Sequence, residues 1–441
     1  MSKTITWSGH YLTLSGPRQI TVSGTSHKTI NVPPLKEFHI VGEVLAPPEK
    51  GRYEIEPDEH KRQSYHRWAL PGAMDNATLR IYYRRADGTE ATLQNGVDYE
   101  IVDPGFTGIK ILNREVFDRE PCLMDYRVRH QRVDVLAVNP AGELKMFYGH
   151  ESIALPHWPL LPDGWEGIAR IHSRYVQDLT DAALYPIADR RHARLINYEK
   201  DSDLAAQMPE DIIVSQGLTN PLNDLIYTRN LDYSLAVKYT AAQADKLRRR
   251  IAGQKKFTLV YFGDSVTQGG DVDKDRRWTF LIDQWLRQEY PGTEFTVINS
   301  AIGGTNSFFG RERFEKDVLR YRPDAVTIMF VLNDFCSDDD PILDNHRYFI
   351  RELDKIGALP IFITPNMNTE TWMPGLDHAT ERIVNLAGEE NRICVDVYAL
   401  WKKLRDYGIP YETMLANGIN HPDNIAAELF VEGLKKLMQK P

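Results

Sequence analysis

Cysteine is scarce in this sequence: its 441 residues include only three, Cys122, Cys336 and Cys394, and these lie far apart. An odd number of scattered cysteines excludes a disulfide framework and the paired spacing of a zinc site. The amino terminus also lacks a basic stretch followed by an apolar one, which a secretory signal would need. We therefore expect a protein of a reducing, cytoplasmic compartment.

Long apolar runs are missing too, and no stretch of the sequence approaches the length of a membrane span. Excess positive charge is also absent, since the formal net charge is -9 and the isoelectric point is about 5.8. An acidic surface repels nucleic acid and anionic lipid, so we expect neither as a partner. With 42% hydrophobic and 26% charged residues, the composition predicts a globular chain, and its length favours two or three domains.

The first 150 residues contain many short apolar or alternating segments separated by glycine, serine and proline. Such spacing predicts an antiparallel β-sandwich or jelly roll, in which we identify no catalytic set of residues. We expect this domain (1–150) to mediate oligomer contacts or to form one wall of the active site, and glycan binding is a less favoured alternative. Residues 151–231 are interpreted as a connector with a weakly helical stretch at 173–188, and a second domain then covers 232–441.

The second domain alternates strand-like and helical segments. Its strand-like segments are apolar, and they lie at 257–262, 295–299, 325–332, 359–364 and 392–397. Amphipathic stretches lie between and after them. This alternation predicts an α/β domain with a parallel sheet that helices cover on both faces.

Four polar or flexible positions follow the predicted strands or precede the last helix of this domain. Ser265 lies in a Gly-Asp-Ser turn after the first strand, Gly304 follows the second strand, and Asn333 follows the third. His421 comes just before the final helix. Open parallel sheets bind ligands at the carboxyl ends of their strands, so we expect these residues to meet there. Acyl transfer needs such a set: a hydroxyl nucleophile, an imidazole base and N–H donors for the oxyanion.

These four blocks, in this order, resemble the SGNH hydrolases, also called the GDSL esterase and lipase family, over about 257–440. The resemblance implies a three-layer α/β/α domain similar to flavodoxin. It implies that Ser265 is the nucleophile and that His421 is the general base. It also implies an oxyanion hole formed by the main-chain N–H of Ser265, the N–H of Gly304 and the side chain of Asn333, with Gly303 as the alternative to Gly304.

The sequence departs from the pattern of this family at two positions. The family usually has glycine two residues before the asparagine, where this chain has Val331. It usually has aspartate three residues before the histidine, where this chain has Gly418. We therefore predict a serine and histidine dyad in which Asn417, Asn420 or a main-chain carbonyl orients His421.

We interpret the acidic residues near these blocks as structural and not as catalytic or metal-binding. Asp423 is expected to face the start of the final helix, where unpaired N–H groups favour a carboxylate. Asp271, Asp273 and Asp275 alternate like the ligands of a calcium loop, but Arg276 occupies the position that such a loop gives to glycine. We therefore expect no metal, and the sequence indicates no cofactor.

We interpret the chain as a two-domain serine esterase that removes a small acyl group, with acetyl expected, from a carbohydrate or similar polyol. The expected partner is a small-molecule or glycan ester, Trp372 is expected to form a wall of its site, and oligomers could form through the first domain. The substrate class rests on analogy with carbohydrate esterases of the family that join a β-sandwich to the catalytic domain. The alternatives are a lipase, lysophospholipase or thioesterase of the same family, and, from another class, a non-catalytic glycan-binding protein.

Overall fold

The computed structural model of this chain divides into two compact units, of which the first holds the described residues up to 190 and the second those from 231 onward. The described residues are 5–45, 64–66, 74–103, 108–117, 121–151, 156, 159, 161–175, 178–188, 190, 231–334, 340–369 and 375–440. Within them, no helix combines the length and the apolar character that crossing a bilayer requires.

The first unit is built from strands. They are β1 (His10–Gly16), β2 (Gln19–Gly24), β3 (Lys28–Asn31), β4 (Glu37–Val44), β5 (Ser64–His66), β6 (Met74–Arg84), β7 (Glu90–Thr92), β8 (Tyr99–Asp103), β9 (Gly108–Ile111), β10 (Leu123–Arg129), β11 (Gln131–Val138), β12 (Leu144–Phe147), β13 (Glu166–Arg174) and β14 (Leu184–Pro186). One short helix, α1 (Arg114–Phe117), and a 3-10 turn at Asp181–Ala183 accompany them in the described residues.

These strands pair antiparallel in four sheets, counted over the described residues, with the orders β1-β2-β3, β4-β10-β6-β7, β5-β9-β8 and β12-β11-β13-β14. One buried core joins the first and last of these sheets through residues such as Ile20, Val22 and Ile171. A second core joins the other two through Ile81 and Ile109. The antiparallel architecture predicted for the first domain is therefore confirmed, and its sheets pack in two pairs.

The predicted end of this domain at residue 150 is too early. β13 pairs with β11 along most of its length, and β14 pairs with β13, so residues up to Pro186 complete one of the sheets. The helix expected at 173–188 is also wrong, because this segment contains the end of β13, a 3-10 turn and β14. Pairing with a distant strand overrides the weak helical preference of the segment.

The second unit alternates strands with helices. Its strands are β15 (Val237–Lys238), β16 (Lys256–Gly263), β17 (Glu294–Asn299), β18 (Ala325–Met329), β19 (Leu359–Ile363) and β20 (Ile393–Val395). Its helices are α2 (Ala241–Gly253), α3 (Ser265–Gln268), α4 (Trp278–Glu289), α5 (Ser307–Asp317), α6 (Asp340–Lys355), α7 (Leu376–Glu389), α8 (Val397–Asp406) and α9 (Ala427–Met438). Three 3-10 turns, at Tyr233–Ala236, Leu319–Tyr321 and Tyr411–Met414, complete the described elements of this unit.

The six strands of the second unit form one sheet in the order β15-β20-β19-β18-β16-β17, and all neighbours are parallel except β15 and β20. Taken from β16 to β20, the order is 2-1-3-4-5, which is that of flavodoxin. Helices α2 and α4 pack with α9, and α5 and α7 pack with α6. The predicted three-layer α/β/α domain is therefore confirmed.

The central strand β16 is buried from Leu259 to Gly263 and carries the aromatic core of the unit. The ring of Phe262 lies between those of Phe314, Phe330 and Phe349, with centroids 5.1 to 5.7 Å away. Helix α5 approaches this cluster closely at Gly310, where a Cβ would come within 2.7 Å of the Phe330 ring. The absence of a side chain at this position lets the helix pack on the sheet.

We predict that Gly310→Ala lowers the free energy of unfolding. Alanine gains up to about 1 kcal/mol of helix propensity, but its methyl group forces the Phe330 ring to move, and overpacking of this kind costs about 1–3 kcal/mol. Urea unfolding followed by circular dichroism measures the difference. Gly388→Ala in α7 is the matched control, because a Cβ there meets nothing within 4 Å and should stabilise the helix. Equal stabilisation by both substitutions would contradict the close approach at Gly310.

Candidate active site

Ser265 lies at the carboxyl edge of the sheet, directly after β16. The strand ends at Gly263, and the side chain of Asp264 caps α3, which begins at Ser265. A Cβ at Gly263 would lie 2.4 Å from Thr267 Oγ1 and 2.5 Å from Met329 O, so the tight turn from strand to helix requires glycine. Ser265 is only 8% exposed at this turn.

His421 reaches Ser265 from the loop before the last helix. Its Nε2 lies 2.7 Å from Ser265 Oγ, although the two residues are 156 positions apart in the sequence. The structure therefore brings together the two residues that were predicted as nucleophile and base. At this distance an imidazole can accept the proton of the hydroxyl group.

The other ring nitrogen of His421 corrects the prediction of a dyad. His421 Nδ1 hydrogen-bonds to Asp271 Oδ2, so a carboxylate six positions after Ser265 orients the ring. The expectation that Asn417, Asn420 or a main-chain carbonyl would do this is wrong. Because a carboxylate accepts the proton on Nδ1, Nε2 is left as the acceptor that faces the serine.

Asn417 shapes the loop of His421 instead of its ring. Asn417 Oδ1 accepts the main-chain N–H groups of Ile419, Asn420 and His421, each at 3.0 Å. Gly418, where the family usually has its acid, adopts a left-handed conformation with φ of 66°. The position is thus used for a turn in this chain, and the acid comes from another loop.

Two further contacts hold the loop of Asp271 against the start of α9. Asn424 Oδ1 accepts the main-chain N–H of Asp273 at 2.9 Å, and Asn424 Nδ2 donates to Asp273 Oδ2 at 2.7 Å. Arg276 also pairs with Glu428 at 2.7 Å. Two of the alternating acids that resemble a calcium loop therefore have partners within the protein: Asp273 bonds to Asn424, and Asp271 faces the histidine. Among the described residues, no three His, Cys, Asp or Glu side chains are grouped as a metal site.

Asp423 faces the final helix, as the sequence predicted. Its Oδ1 accepts the main-chain N–H groups of Ile425 and Ala426 at 3.0 and 2.8 Å. These N–H groups belong to the turn that leads into α9, and the carboxylate satisfies them. Asp423 therefore has a structural role beside His421.

The turn after β17 lies next to Ser265, since a Cβ built at Gly303 would be 3.6 Å from Ser265 Cβ. The N–H of Gly303 donates to Gln268 Oε1 at 3.1 Å. Gly304 has φ of 72°, and its N–H makes no hydrogen bond to any described residue. Of the two glycines, Gly304 is therefore the one with an N–H available for a substrate.

Asn333 faces the same turn from the end of β18. Its Nδ2 donates to Thr305 O at 3.1 Å, and the side chain is buried. The main chain just before it is unusual, because Val331 has φ of 86°, a conformation that β-branched residues rarely adopt. Val331 occupies the position where the family usually has glycine, and its left-handed conformation costs about 1–3 kcal/mol of strain.

Asp334 maintains this turn through its side chain and its main chain. Its Oδ2 accepts the N–H of Val331 at 2.8 Å, and its own N–H donates to Val331 O at 2.9 Å. Its Oδ1 accepts both the N–H and the hydroxyl of Ser307. Asp334 therefore ties the loop of Asn333 to the start of α5.

Trp372, predicted as a substrate wall, lies outside the described residues.

A parallel sheet of flavodoxin order with a hydrogen-bonded serine, histidine and aspartate at its carboxyl edge defines the second unit as an α/β domain of the hydrolase type. Residues 261–428 match the GDSL-like lipase/acylhydrolase family. This part of the chain is a domain of that family, as the resemblance predicted.

The chain is also similar to individual proteins. It is 32% identical over 119 residues to the uncharacterized lipoprotein YqeF of Bacillus subtilis, a match that covers 24% of this chain and 47% of that protein, about half its length. It is 24% identical over 172 residues to an acetylxylan esterase of Geobacillus stearothermophilus, covering 33% of this chain and 78% of that one. A solved two-domain esterase active on acetylated mannans is similar at 21% identity, with a TM-score of 0.40. The match covers 48% of this chain and 57% of that one.

Asp264 is the most perturbed carboxyl group near Ser265. Complete burial raises the pKa of its side chain to about 7, and the nearby Asp334 carboxylate acts in the same direction. The N–H of Val266 and the charge of His421 oppose this shift. One oxygen of Asp264, Oδ2, has no hydrogen-bond partner among the described residues.

We predict that Asp264 makes the folded protein less stable as the pH rises from about 4 to 7. In the unfolded chain the carboxyl group loses its proton near pH 4, whereas in the folded protein it keeps the proton until about pH 7. The stability linked to this proton is therefore present at low pH and is lost through that interval, by at most about 4 kcal/mol.

Asp264→Asn removes this titration while keeping an oxygen that can cap α3. The free energy of unfolding of the variant, measured with urea at pH 4, 5.5 and 7, should rise relative to the unmodified protein as the pH increases. A constant difference between the two proteins across this range would contradict the raised pKa.

Proposed function

We propose that the second unit is a serine esterase that removes small acyl groups, with acetyl preferred, from a carbohydrate or another polyol. The observation that carries this proposal is the continuous hydrogen-bonded array from Ser265 Oγ to His421 Nε2 and from His421 Nδ1 to Asp271. An array of this kind activates a hydroxyl group that is otherwise a weak nucleophile.

In the proposed first step, Ser265 Oγ attacks the ester carbonyl while His421 Nε2 takes the hydroxyl proton. Asp271 holds the imidazole in the tautomer that leaves Nε2 free, and its negative charge stabilises the imidazolium that forms. His421 then gives the proton to the departing sugar oxygen, which leaves the acyl group on Ser265. A water molecule, activated by the same histidine, releases the acid and restores the serine.

Negative charge develops on the carbonyl oxygen in both steps. The Gly304 N–H has no partner among the described residues, and the Asn333 amide faces the same turn, so both can donate to this oxygen together with the N–H of Ser265. Fixed donors stabilise the charge of the transition state more than that of the substrate, and this lowers the barrier.

The substrate class is supported by two features. The acetylxylan esterase to which this chain is similar acts, by its name, on an acetylated polysaccharide. Polar side chains lie at Ser265 and at the neighbouring turn after β17: His421 bonds to Ser265 Oγ, Gln268 bonds to the N–H of Gly303, and Asn333 bonds to Thr305 O. Polar groups at this position fit a hydroxylated alcohol better than a long acyl chain.

The function is tested by hydrolysis of p-nitrophenyl acetate, butyrate and octanoate beside acetate release from acetylated xylo- and manno-oligosaccharides. We expect acetyl esters to be preferred, and Ser265→Ala to lower kcat by about 10⁴- to 10⁶-fold without loss of fold. Turnover retained in a folded Ser265→Ala protein would reject the serine mechanism. A preference for octanoate would instead point to the lipase alternative.

Asp271→Asn tests the corrected assignment of the acid. An amide donates an N–H to Nδ1 of His421, which imposes the wrong tautomer, so kcat should fall by about 10⁴-fold while KM changes little.

Asp423→Asn is the matched control, because Asp423 lies two positions after His421 and its side chain bonds to the turn that leads into α9. Asparagine caps helices almost as well as aspartate, so kcat should fall by less than about tenfold. Equal losses in the two variants would show that the contact with Asp271 does not set the orientation of His421.

A further inference from the structure

Arg313 is a buried arginine of α5 that bonds to the carboxyl edge of the sheet, and it is only 7% exposed. Its Nη2 donates to Gly263 O at 3.2 Å, and its Nη1 donates to Ser300 O at 2.5 Å. Gly263 ends β16, two residues before Ser265. Ser300 follows β17 and opens the turn that carries Gly304. One guanidinium group therefore bonds to both the serine turn and the turn of Gly304.

Further bonds join the same three segments around this guanidinium group. Gly263 O also accepts the main-chain N–H of Ile302 at 3.2 Å, and Ser300 Oγ donates to Asp317 O in α5 at 2.7 Å. The donors of a guanidinium group lie in one plane at fixed angles, so it can hold two carbonyl groups at a set separation. Arg313 therefore restrains the turn of Gly304 relative to the serine turn.

The surroundings of Arg313 argue against a role in stability alone. Asp317 Oδ2 lies 3.3 Å from Nη1, and Nε has no hydrogen-bond partner among the described residues. Burial lowers the pKa of Arg313, and Asp317 opposes this shift. The ring of Phe262, 4.4 Å from Cζ, offsets part of the cost of burial. An apolar side chain can often replace a buried charge without loss of stability, so the bonds to the two turns better explain an arginine here.

We propose that Arg313 is a positioning residue for the oxyanion hole. It holds the turn of Gly304 so that the Gly304 N–H lies within hydrogen-bond distance of the carbonyl oxygen when Ser265 attacks. A displacement of about 1 Å in such a donor can cost about 10²-fold in rate. The role in the oxyanion hole rests on the proposed function, whereas the restraint of the two turns rests on the bonds of Arg313 alone.

Arg313→Met removes the charge and the donors but keeps an unbranched side chain that can fill the buried space. In the full chain, with p-nitrophenyl acetate as substrate, kcat should fall by about 10- to 100-fold while KM changes less than about twofold. A displaced oxyanion donor affects the transition state more than the bound ester, which is the reason for this split. An unchanged kcat in the folded variant, or a change in KM alone, would overturn the proposal.

Arg313→Lys is the second variant if Arg313→Met does not fold. It keeps the buried charge, but a single ammonium group lacks the planar fork that bonds to two carbonyl groups at once. We expect kcat to fall at least tenfold here too. Full activity in Arg313→Lys would show that the positive charge suffices, and it would overturn the proposed role of the two bonds.

Arg250→Met is the matched control. Arg250 also joins two segments, since it donates to Gly357 O at 2.6 Å and to Asp324 Oδ1 at 2.9 Å. Those residues precede β19 and β18, so Arg250 lies at the amino edge of the same sheet, away from Ser265. Its substitution should leave kcat unchanged in the folded protein. Equal losses of kcat in Arg250→Met and Arg313→Met would assign the effect to general loosening and overturn the proposal.

Hydrogen exchange followed by mass spectrometry separates the restraint of the turns from the proposed function. The N–H groups of Ser300 and Ile302 bond to Tyr261 O and Gly263 O, and they should exchange at least tenfold faster in Arg313→Met but not in Arg250→Met. Unchanged exchange in this turn would overturn the restraint even in an active esterase. Faster exchange there in a protein without esterase activity would uphold the restraint and reject the proposed function.

Discussion

The hydrogen bond between His421 and Asp271 is the contact on which the site depends, and it joins two distant segments of the chain. The Asp273–Asn424 bonds and the Arg276–Glu428 pair cross between the same two segments. Because the acid shares a loop with the serine and the base precedes α9, the ring is oriented by tertiary packing. A change that loosens α9 from this loop would therefore disturb catalysis without touching the serine, the histidine or the aspartate.

Much of the second unit could be predicted because its signals are local. Buried parallel strands appear in the sequence as short apolar runs, and the residues that meet at the carboxyl edge follow those runs directly. Ser265, Gly304 and Asn333 were predicted in this way. Asp271 could not be, since its partner is 150 positions away and nothing in a local pattern distinguishes an acid facing a histidine from one facing solvent. Its alternation with two other acids resembled a calcium loop instead.

Two other features, in the first unit and in the loop of Asn333, could not be predicted from local sequence patterns either. β13 and β14 are strands because they add to β11, a pairing that the segment's own sequence does not specify. Val331 takes a backbone conformation that opposes its side-chain preference, and the bonds to Asp334 maintain it. In both cases a non-local contact supplies the free energy that decides between local alternatives, so a pattern within a few residues cannot reveal the outcome.

Two carboxyl groups near His421 have different environments, and this separates their roles. Asp271 bonds directly to the ring, whereas Asp264 is fully buried below the serine, uses one oxygen to cap α3 and has a pKa of about 7. Near neutral pH, Asp264 is therefore only partly ionised. The positive charge that His421 acquires when it takes the serine proton lowers the pKa of Asp264 and so favours the ionised form of this carboxyl group. Ionisation of Asp264 thus costs folding free energy, so this buried carboxyl group makes the fold less stable as the pH rises towards 7.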